Sequence, residues 1–353
     1  MRKPNASAVF YAELEVKIMA ERNPLRSRDV TVASAVSVSR NIARYPFPCR
    51  LSADQKKQLS YGIFKLINAK DGRFTFTALD ELASYQTAAL AELGLITAEC
   101  ASDPAGRALL RCADDLVSVM LCEEDHIRIT ARAPGLDIAS SYTAADGIES
   151  ELGEKLEFAF DDKLGFLSQN PSLLGTALRP SVIMHLPALA ASGLDRLAAS
   201  ASRLGIMIRG LYGGGGVALG NIYVVSNTVT MGISEKASCD NLRSFCMQLA
   251  TKERSHREEM IKDSGTVDRV WRAHGILTSA RILTCSEMME LLSYERLGAC
   301  LGITDTQIEK IDRLIPDMQP AVLKCTDERC LDRSFRDEYR AEMIRRSIVS
   351  VSE

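Results

Sequence analysis

Arginine is the side chain best built to hold an oxyanion, because its planar fork offers parallel donors and its charge is never lost near neutral pH. Three arginines of this sequence fall at or near strand-like segments: Arg128 in DHIRI, Arg179 in TALRPSV and Arg209 in IRGLYG. A strand is a rigid mount for a binding group, although one arginine there reads equally well as a solvated charge at a sheet edge. Just ahead of Arg128 stand Glu123, Glu124 and Asp125, a run able to bind a cation or accept a proton. Gly213, Gly214, Gly215 and Gly216 can turn backbone N–H groups toward an anion. No Lys-Ser/Thr follows them, so they do not make a nucleotide motif. Near the C-terminus, Arg336 and Arg340 are four apart and project from one face of a predicted helix, where two cations can meet one phosphoryl group. On composition alone the same stretch, RSFRDEYRAEMIRR, is a solvated, charge-laced helix.

The elements that must position these groups follow from hydrophobic spacing. Residues 1 to about 100 have apolar residues at helical intervals in AVFYAELEVKIMA, QKKQLSYGIFKLINA and LDELASYQTAALAELGLI, which predicts a small helical domain. From Asp115 the period changes to two: DLVSVML, the polar CEED and HIRITA read as a hairpin with Ile127 and Ile129 on one side and Arg128 and Thr130 on the other. Further strands are predicted at LRPSVIMHLPAL, GIMIRGLYG and NIYVVSNTVTMG, with helices between them. Beyond Ser234 the chain turns helical again, and those helices are expected to pack on the back of the sheet. The fold class is therefore α+β.

With 353 residues, 46% of them hydrophobic, the chain can bury a large core. Its net charge of −3 arises from intermingled acids and bases, so no field of one sign points to nucleic acid or to an anionic membrane. Glu13, Glu15 and Lys17 interrupt the apolar residues at the start before a signal-peptide core forms, and no apolar run reaches the length of a membrane span. A cytoplasmic location is the resulting expectation. Ten scattered cysteines make no CxxC pair, so they read as reduced thiols, and Cys325 with Cys330 makes a poor metal site.

Four stretches in order, NIARYPFP, VSVMLCEEDHIRI, NPSLLGTALRPSVIMHLPAL and IRGLYGGGGVALGNIYVVSNTVTMGISE, resemble the bacterial protein-arginine kinases of the ATP:guanidino phosphotransferase (phosphagen kinase) family. ERSHREEM, DRVWRAHGIL and YERLGACLGI extend the resemblance toward the C-terminus. It implies a small all-α N-terminal domain over 1–105, an antiparallel catalytic sheet flanked by helices over 106–240, and a C-terminal helical part over 241–353. It implies ATP and Mg as cofactors, and transfer of the γ-phosphoryl to arginine side chains of proteins. By the same resemblance Arg128, Arg179 and Arg209 contact the nucleotide phosphates and Glu123 orients the target arginine and accepts its proton. Arg336, Asp337 and Arg340 match the RDxxRA signature that binds phosphoarginine away from the active centre. A homodimer, a zinc-binding activator or adaptor, and protein substrates or phosphoarginine proteins are the implied partners.

Several positions depart from the family pattern. Ala35 and Ser37 stand where two phosphate-binding arginines belong, with Arg40, Arg44 and Arg50 the nearest bases in sequence. One such arginine is worth roughly a factor of 10³ or more in phosphoryl transfer. Gly214 replaces a second carboxylate, and Asn170 replaces the cysteine of the CPTN motif, for which Cys122 is a weak stand-in. Leu173 and Ala177 make the nucleotide side more apolar. Two functions are compatible with this pattern: a kinase with impaired activity, or an inactive pseudokinase that binds phosphoarginine or a regulatory partner.

Overall fold

The computed structural model describes residues 28–69, 72–113, 116–212 and 218–349. The predicted helix AVFYAELEVKIMA and the glycine run that includes Gly214 lie outside the described residues. The strands are β1 (Thr31–Arg40), β2 (Phe74–Ala78), β3 (Ala108–Cys112), β4 (Val117–Leu121), β5 (Ile127–Pro134), β6 (Phe160–Asp161), β7 (Gly165–Phe166), β8 (Leu178–His185), β9 (Ile206–Gly210) and β10 (Ile222–Asn227). The helices are α1 (Ala53–Asn68), α2 (Ser84–Glu92), α3 (Ala98–Ser102), α4 (Ile138–Gly153), α5 (Pro187–Ser192), α6 (Leu194–Ser202) and α7 (Glu235–Met260). They continue as α8 (Ser264–Ser279), α9 (Cys285–Cys300), α10 (Ile308–Asp317), α11 (Pro320–Thr326) and α12 (Arg333–Val349).

Eight strands form one sheet in the order β2-β3-β4-β5-β1-β8-β10-β9, and each pair of neighbours is antiparallel. The α+β expectation holds. The helical reading of residues 1–105 does not hold throughout: β1 is a central strand of the sheet and β2 is one of its edges. Alternation of Val36 and Val38 with Ser37 and Ser39 gives Thr31–Arg40 one apolar face, the pattern of a strand and not of a helix. Tertiary pairing with β5 and β8 decides it.

One face of the sheet is covered. Val36 and Val38 of β1, Ile127, Ile129 and Ala131 of β5, and Val182 and Met184 of β8 pack against Leu59 and Ile63 of α1, Ala145 and Ile148 of α4, and Leu242 and Cys246 of α7. Alternation in the strands sends every second residue to this core and its neighbours to the opposite face. Helix α7 thus belongs with the sheet, whereas α8 to α12 build a second core around Leu277, Met288, Leu292, Leu314 and Ile344. The C-terminal helices therefore sit at an end of the sheet and do not spread across its back.

Buried ionic contacts tie that second unit down. Arg257 of α7 donates to Glu253 at 2.7 Å and to the His185 carbonyl at 2.9 Å. Arg296 of α9 donates to Asp312 at 2.7 Å and to the Asp29 carbonyl at 2.7 Å. His185 lies between the two arginines; burial first, and then their like charges, hold its pKa well below the ordinary value, so the ring is neutral. Breaking one partner of such a set strands a charge in a dry interior.

Ile129 is fully buried in the sheet core and its neighbours Arg128 and Thr130 are on the other face. Ile129→Ala is expected to lower the unfolding free energy by about 2–5 kcal/mol, read by urea denaturation.

Candidate functional site

Paired residues on adjacent strands share a face, so the registers place each group on the uncovered side. Ser37 lies between Thr130 of β5 and Arg179 of β8, and Ala35 lies between Arg132 and Ser181. Ser39 is opposite Arg128, Ser226 is opposite Ser181, and Arg209 is opposite Val224. The middle of this face is a floor of small residues, Ala35, Ser37, Thr130, Ser181 and Ser226, with arginines around it. Ser37 and Thr130 hydroxyls bond each other at 2.7 Å. The floor is walled on the β3–β4 side by Leu79, Ile96 and Cys100, which pack on Leu109 and Met120.

The structure brings Arg128, Arg179 and Arg209 together on that face. Burial lowers the pKa of Arg179; the charge of Glu124 opposes this and the like charge of Arg209 adds to it. Burial likewise lowers that of Arg128, with Cys100 and Glu99 opposing and Arg179 adding. Arg128 therefore feels Arg179, and Arg179 feels Arg209, a costly arrangement unless an anion shares them. Arg179 Nη2 donates weakly to Ser172 Oγ at 3.4 Å, and its Nε is buried with no hydrogen-bond partner. These features fit phosphate oxygens.

The acidic run divides by role. Asp125 is structural: it accepts from Asn41 Nδ2 at 2.6 Å, Ser168 Oγ at 2.8 Å and the Gln169 N–H at 3.0 Å. His126 is buried between the Ile42 N–H at 3.1 Å and the Pro46 carbonyl at 3.0 Å, and burial depresses its pKa. Glu123, the residue expected to handle the target arginine, is ion-paired to Arg128 and accepts from Thr97 Oγ1. Glu124 escaped the sequence reading. Burial raises its pKa, then the charge of Asp125 does, while Asn170 and Arg179 oppose. A half-buried carboxylate with a raised pKa beside a cationic cleft is the pattern of a proton acceptor. The signal available in the sequence was only its place in an acidic run.

The substituted positions lie where the cations would matter most. Ala35 and Ser37 occupy the middle of the floor between the β5 and β8 arginines. Arg40 does not replace them: it is turned to the covered side, bonded to Glu149 at 2.7 Å and the Thr176 carbonyl at 2.9 Å, with its guanidinium 3.5 Å from the Phe166 ring centroid. Arg44 is an exposed charge 3.9 Å from Glu157. Asn170 contacts Glu124 and accepts from Ser172 Oγ at 2.8 Å, linking Glu124 to Arg179 through two neutral side chains. Cys122 is no stand-in, because it is fully buried in the covered core, bonded to Ser60 at 3.5 Å, and burial raises its thiol pKa. Ala177 has positive φ, and Gly175 before it at φ +100° is pressed so closely on the Thr230 carbonyl that a Cβ would fall 2.3 Å away. Loop 170–177 is thereby held against loop 228–232.

The C-terminal arginines differ from each other. Arg340 is buried and donates to the Met318 carbonyl at 3.0 Å, to the Leu283 carbonyl at 2.8 Å and to Asp337. Arg336 is half-buried, donates to the Cys330 carbonyl at 2.9 Å, and leaves its Nε without a hydrogen-bond partner. Among the described residues, no group of three or more His, Cys, Asp or Glu side chains is arranged to hold a metal ion, and all ten cysteines are free. No helix among them is long and apolar enough to cross a membrane.

Two expectations follow. Because the folded pKa of Glu124 is raised, its ionised form costs stability at neutral pH, and the cost fades as pH falls through the folded value. Glu124→Gln should therefore melt at or above the parent temperature at about pH 7, with the difference shrinking toward about pH 4, as followed by thermal scans. Arg340→Ala should cost about 2–4 kcal/mol by stranding buried carbonyls and Asp337, whereas Arg336→Ala should cost well under half of that in the same denaturant titration.

Comparisons with known proteins identify the family. The C-terminal catalytic domain of the ATP:guanido phosphotransferases matches residues 56–256, and the protein-arginine kinase McsB C-terminal domain matches residues 264–353. A protein-arginine kinase of Caldanaerobacter subterraneus subsp. tengcongensis is 37% identical over 325 residues, 90% of this chain and 96% of that one. Another, from Desulforamulus reducens, is 36% identical over 333 residues, 92% of this chain and 93% of that one. Among solved structures, the duplicated taurocyamine kinase from Schistosoma mansoni with bound transition state analog components superposes with a TM-score of 0.58 at 25% identity. That match covers 68% of this chain and 35% of the duplicated one. A lombricine kinase, at 20% identity, shares the fold with a TM-score of 0.56 over 65% of this chain and 67% of that one. This chain belongs to the ATP:guanido phosphotransferase family, in its protein-arginine kinase branch.

Proposed function

We propose that the protein is a protein-arginine kinase with weakened catalysis, binding ATP phosphates on Arg128, Arg179 and Arg209 and the guanidinium of a protein arginine at Glu124. The observation that carries this is the placement of three arginines on one open face, with Arg179 near the like charges of the other two, beside a half-buried carboxylate with a raised pKa. Catalysis of phosphoryl transfer is positioning plus neutralisation of spread negative charge. Bound nucleotide would supply the transferable phosphoryl and, on its own oxygens, a site for Mg2+. The chain's contribution is to fix the oligophosphate on the arginines, and to aim an arginine N–H at the Glu124 carboxylate. Glu124 serves better than Glu123, because Glu123 is already spent on Arg128 and Thr97.

Weakening follows from the same geometry. The floor under the phosphates carries Ala35 and Ser37 between the two best-placed arginines, so charge at the centre is lower than at the rim. Arg128 is partly neutralised by Glu123. A second reading, a pseudokinase that binds phosphoarginine or a partner protein, draws on these deficits and on Arg336, whose buried Nε has no hydrogen-bond partner. A homodimer, a zinc-binding adaptor and a cytoplasmic location belong to this proposal as properties expected of the branch.

The test is calorimetric titration with MgATP, followed by a phosphoarginine assay on an arginine-rich protein. Parent protein is expected to bind, and the Arg179→Ala/Arg209→Ala double variant to lose about 100-fold or more in affinity, as two charge-assisted contacts require. Slow transfer that disappears in Glu124→Ala but survives in Asn170→Ala supports the kinase reading. Parent protein that binds no MgATP at millimolar concentration overturns it in favour of the pseudokinase.

A further inference from the structure

We propose that the hydrogen-bonded hydroxyls of Ser37 and Thr130 form a neutral clamp that donates to a phosphoryl oxygen at the centre of the open face. The clamp rests on the nucleotide-site reading above and adds two uncharged members to the phosphate-binding set, between its arginines.

Ser37 is the direct cross-strand partner of Thr130 on β5 and of Arg179 on β8. Cross-strand partners have Cβ atoms about 5 Å apart and leave the sheet on the same side. The other side is taken by Val36, Val38, Ile129 and Ala131, which are buried in the main core. Ser37 and Thr130 are only half-buried, so both are reached from the open face. Ala35 and Ser181, the next pair along β1 and β8 on that face, are small and leave the approach clear on those two strands.

The Ser37 and Thr130 hydroxyl oxygens are 2.7 Å apart, and either can be the donor. Each hydroxyl carries one proton, so their mutual bond uses one and leaves the other, on the accepting hydroxyl, to donate elsewhere. Among the described residues neither hydroxyl has a second hydrogen-bond partner. A hydroxyl that already accepts a bond is polarised into a better donor, and a phosphate oxygen is a charged acceptor, for which such a bond is strongest. Across from the pair, Arg179 keeps a buried Nε without a partner and reaches only Ser172 Oγ, at 3.4 Å, through Nη2. An oligophosphate bound by Arg179 can thus rest one phosphoryl group on the clamp. A neutral donor there adds no repulsion to Arg128 and Arg179, whose like charges already oppose each other. The competing view is that the pair is only a cross-strand bond fastening β1 to β5, which affects stability and leaves phosphate affinity alone.

The experiment titrates the full chain calorimetrically with MgATP and, separately, with inorganic triphosphate, comparing the parent with Ser37→Ala/Thr130→Val, Thr130→Ser and Arg179→Ala. Both hydroxyls must be removed together, because either one left alone can still donate. The double variant is expected to weaken both probes by about 10- to 100-fold, while Thr130→Ser, which keeps both hydroxyls, binds like the parent. If Arg179→Ala weakens binding and the double variant binds like the parent, the pair is a strand fastener, and the site reading survives without the clamp. If Thr130→Ser loses as much as the double variant, the methyl group and not the hydroxyl matters, and the clamp is overturned. If the parent binds neither probe, both readings fall. Should the double variant not fold, Ser37→Ala/Thr130→Ala takes its place: weakened affinity upholds the clamp and parental affinity overturns it.

Discussion

Strand β1 is hydrogen-bonded to β5 on one side and β8 on the other, and that double pairing is the constraint on which the rest depends. Its register brings segments from roughly 90 to 150 residues apart in sequence to within one strand spacing. It also fixes the two faces together, since a slip of one residue would turn Val36 and Val38 outward and bury Ala35 and Ser37 in their place. The core and the cationic face are therefore two readings of one alternation. The hydrophobic side holds the register; the arginines are carried by it.

Charge management distinguishes the two ends of the molecule. On the open face, arginines are left close together with neutral or partial partners, which leaves them ready for an anion. Around His185, more deeply buried arginines are matched to Glu253, Asp312 and backbone carbonyls, so they fasten helices and have no charge to spare. Arg340 belongs to this second kind and Arg336 stands between the two. The same residue type serves as ligand or as rivet according to how many acceptors surround it.

The segment between β2 and β3 connects these regions. Glu92 at the end of α2 accepts the Ala321 N–H at 2.7 Å and the Val322 N–H at 3.1 Å, capping α11 of the C-terminal unit. Two residues later the Gly94 carbonyl holds Arg132, and Thr97 meets Glu123. One short stretch of chain thus touches the C-terminal helices and the β4–β5 side of the open face. Burial raises the pKa of Glu92 despite its two N–H donors, which marks this junction as a dry one.

What the sequence determined by itself was the part written in local periodicity and in linear motifs. The hairpin of β4 and β5, the strands β8, β9 and β10 and most helices were legible because their apolar residues recur every two or every 3.6 positions. Arg128, Arg179 and Arg209 stood out because each matches, by resemblance, an arginine that contacts nucleotide phosphates in the family, and each lies at or near such a strand. Only the tertiary structure decided that Thr31–Arg40 is a central strand, since its place depends on pairing with β5 and β8, which lie far along the chain. It alone showed Arg40 turned away, Glu123 engaged, Glu124 poised and Arg132 beside Ala35. Those facts depend on which side a side chain leaves the sheet and on what distant segment meets it, and neither is a property of neighbouring residues in the chain.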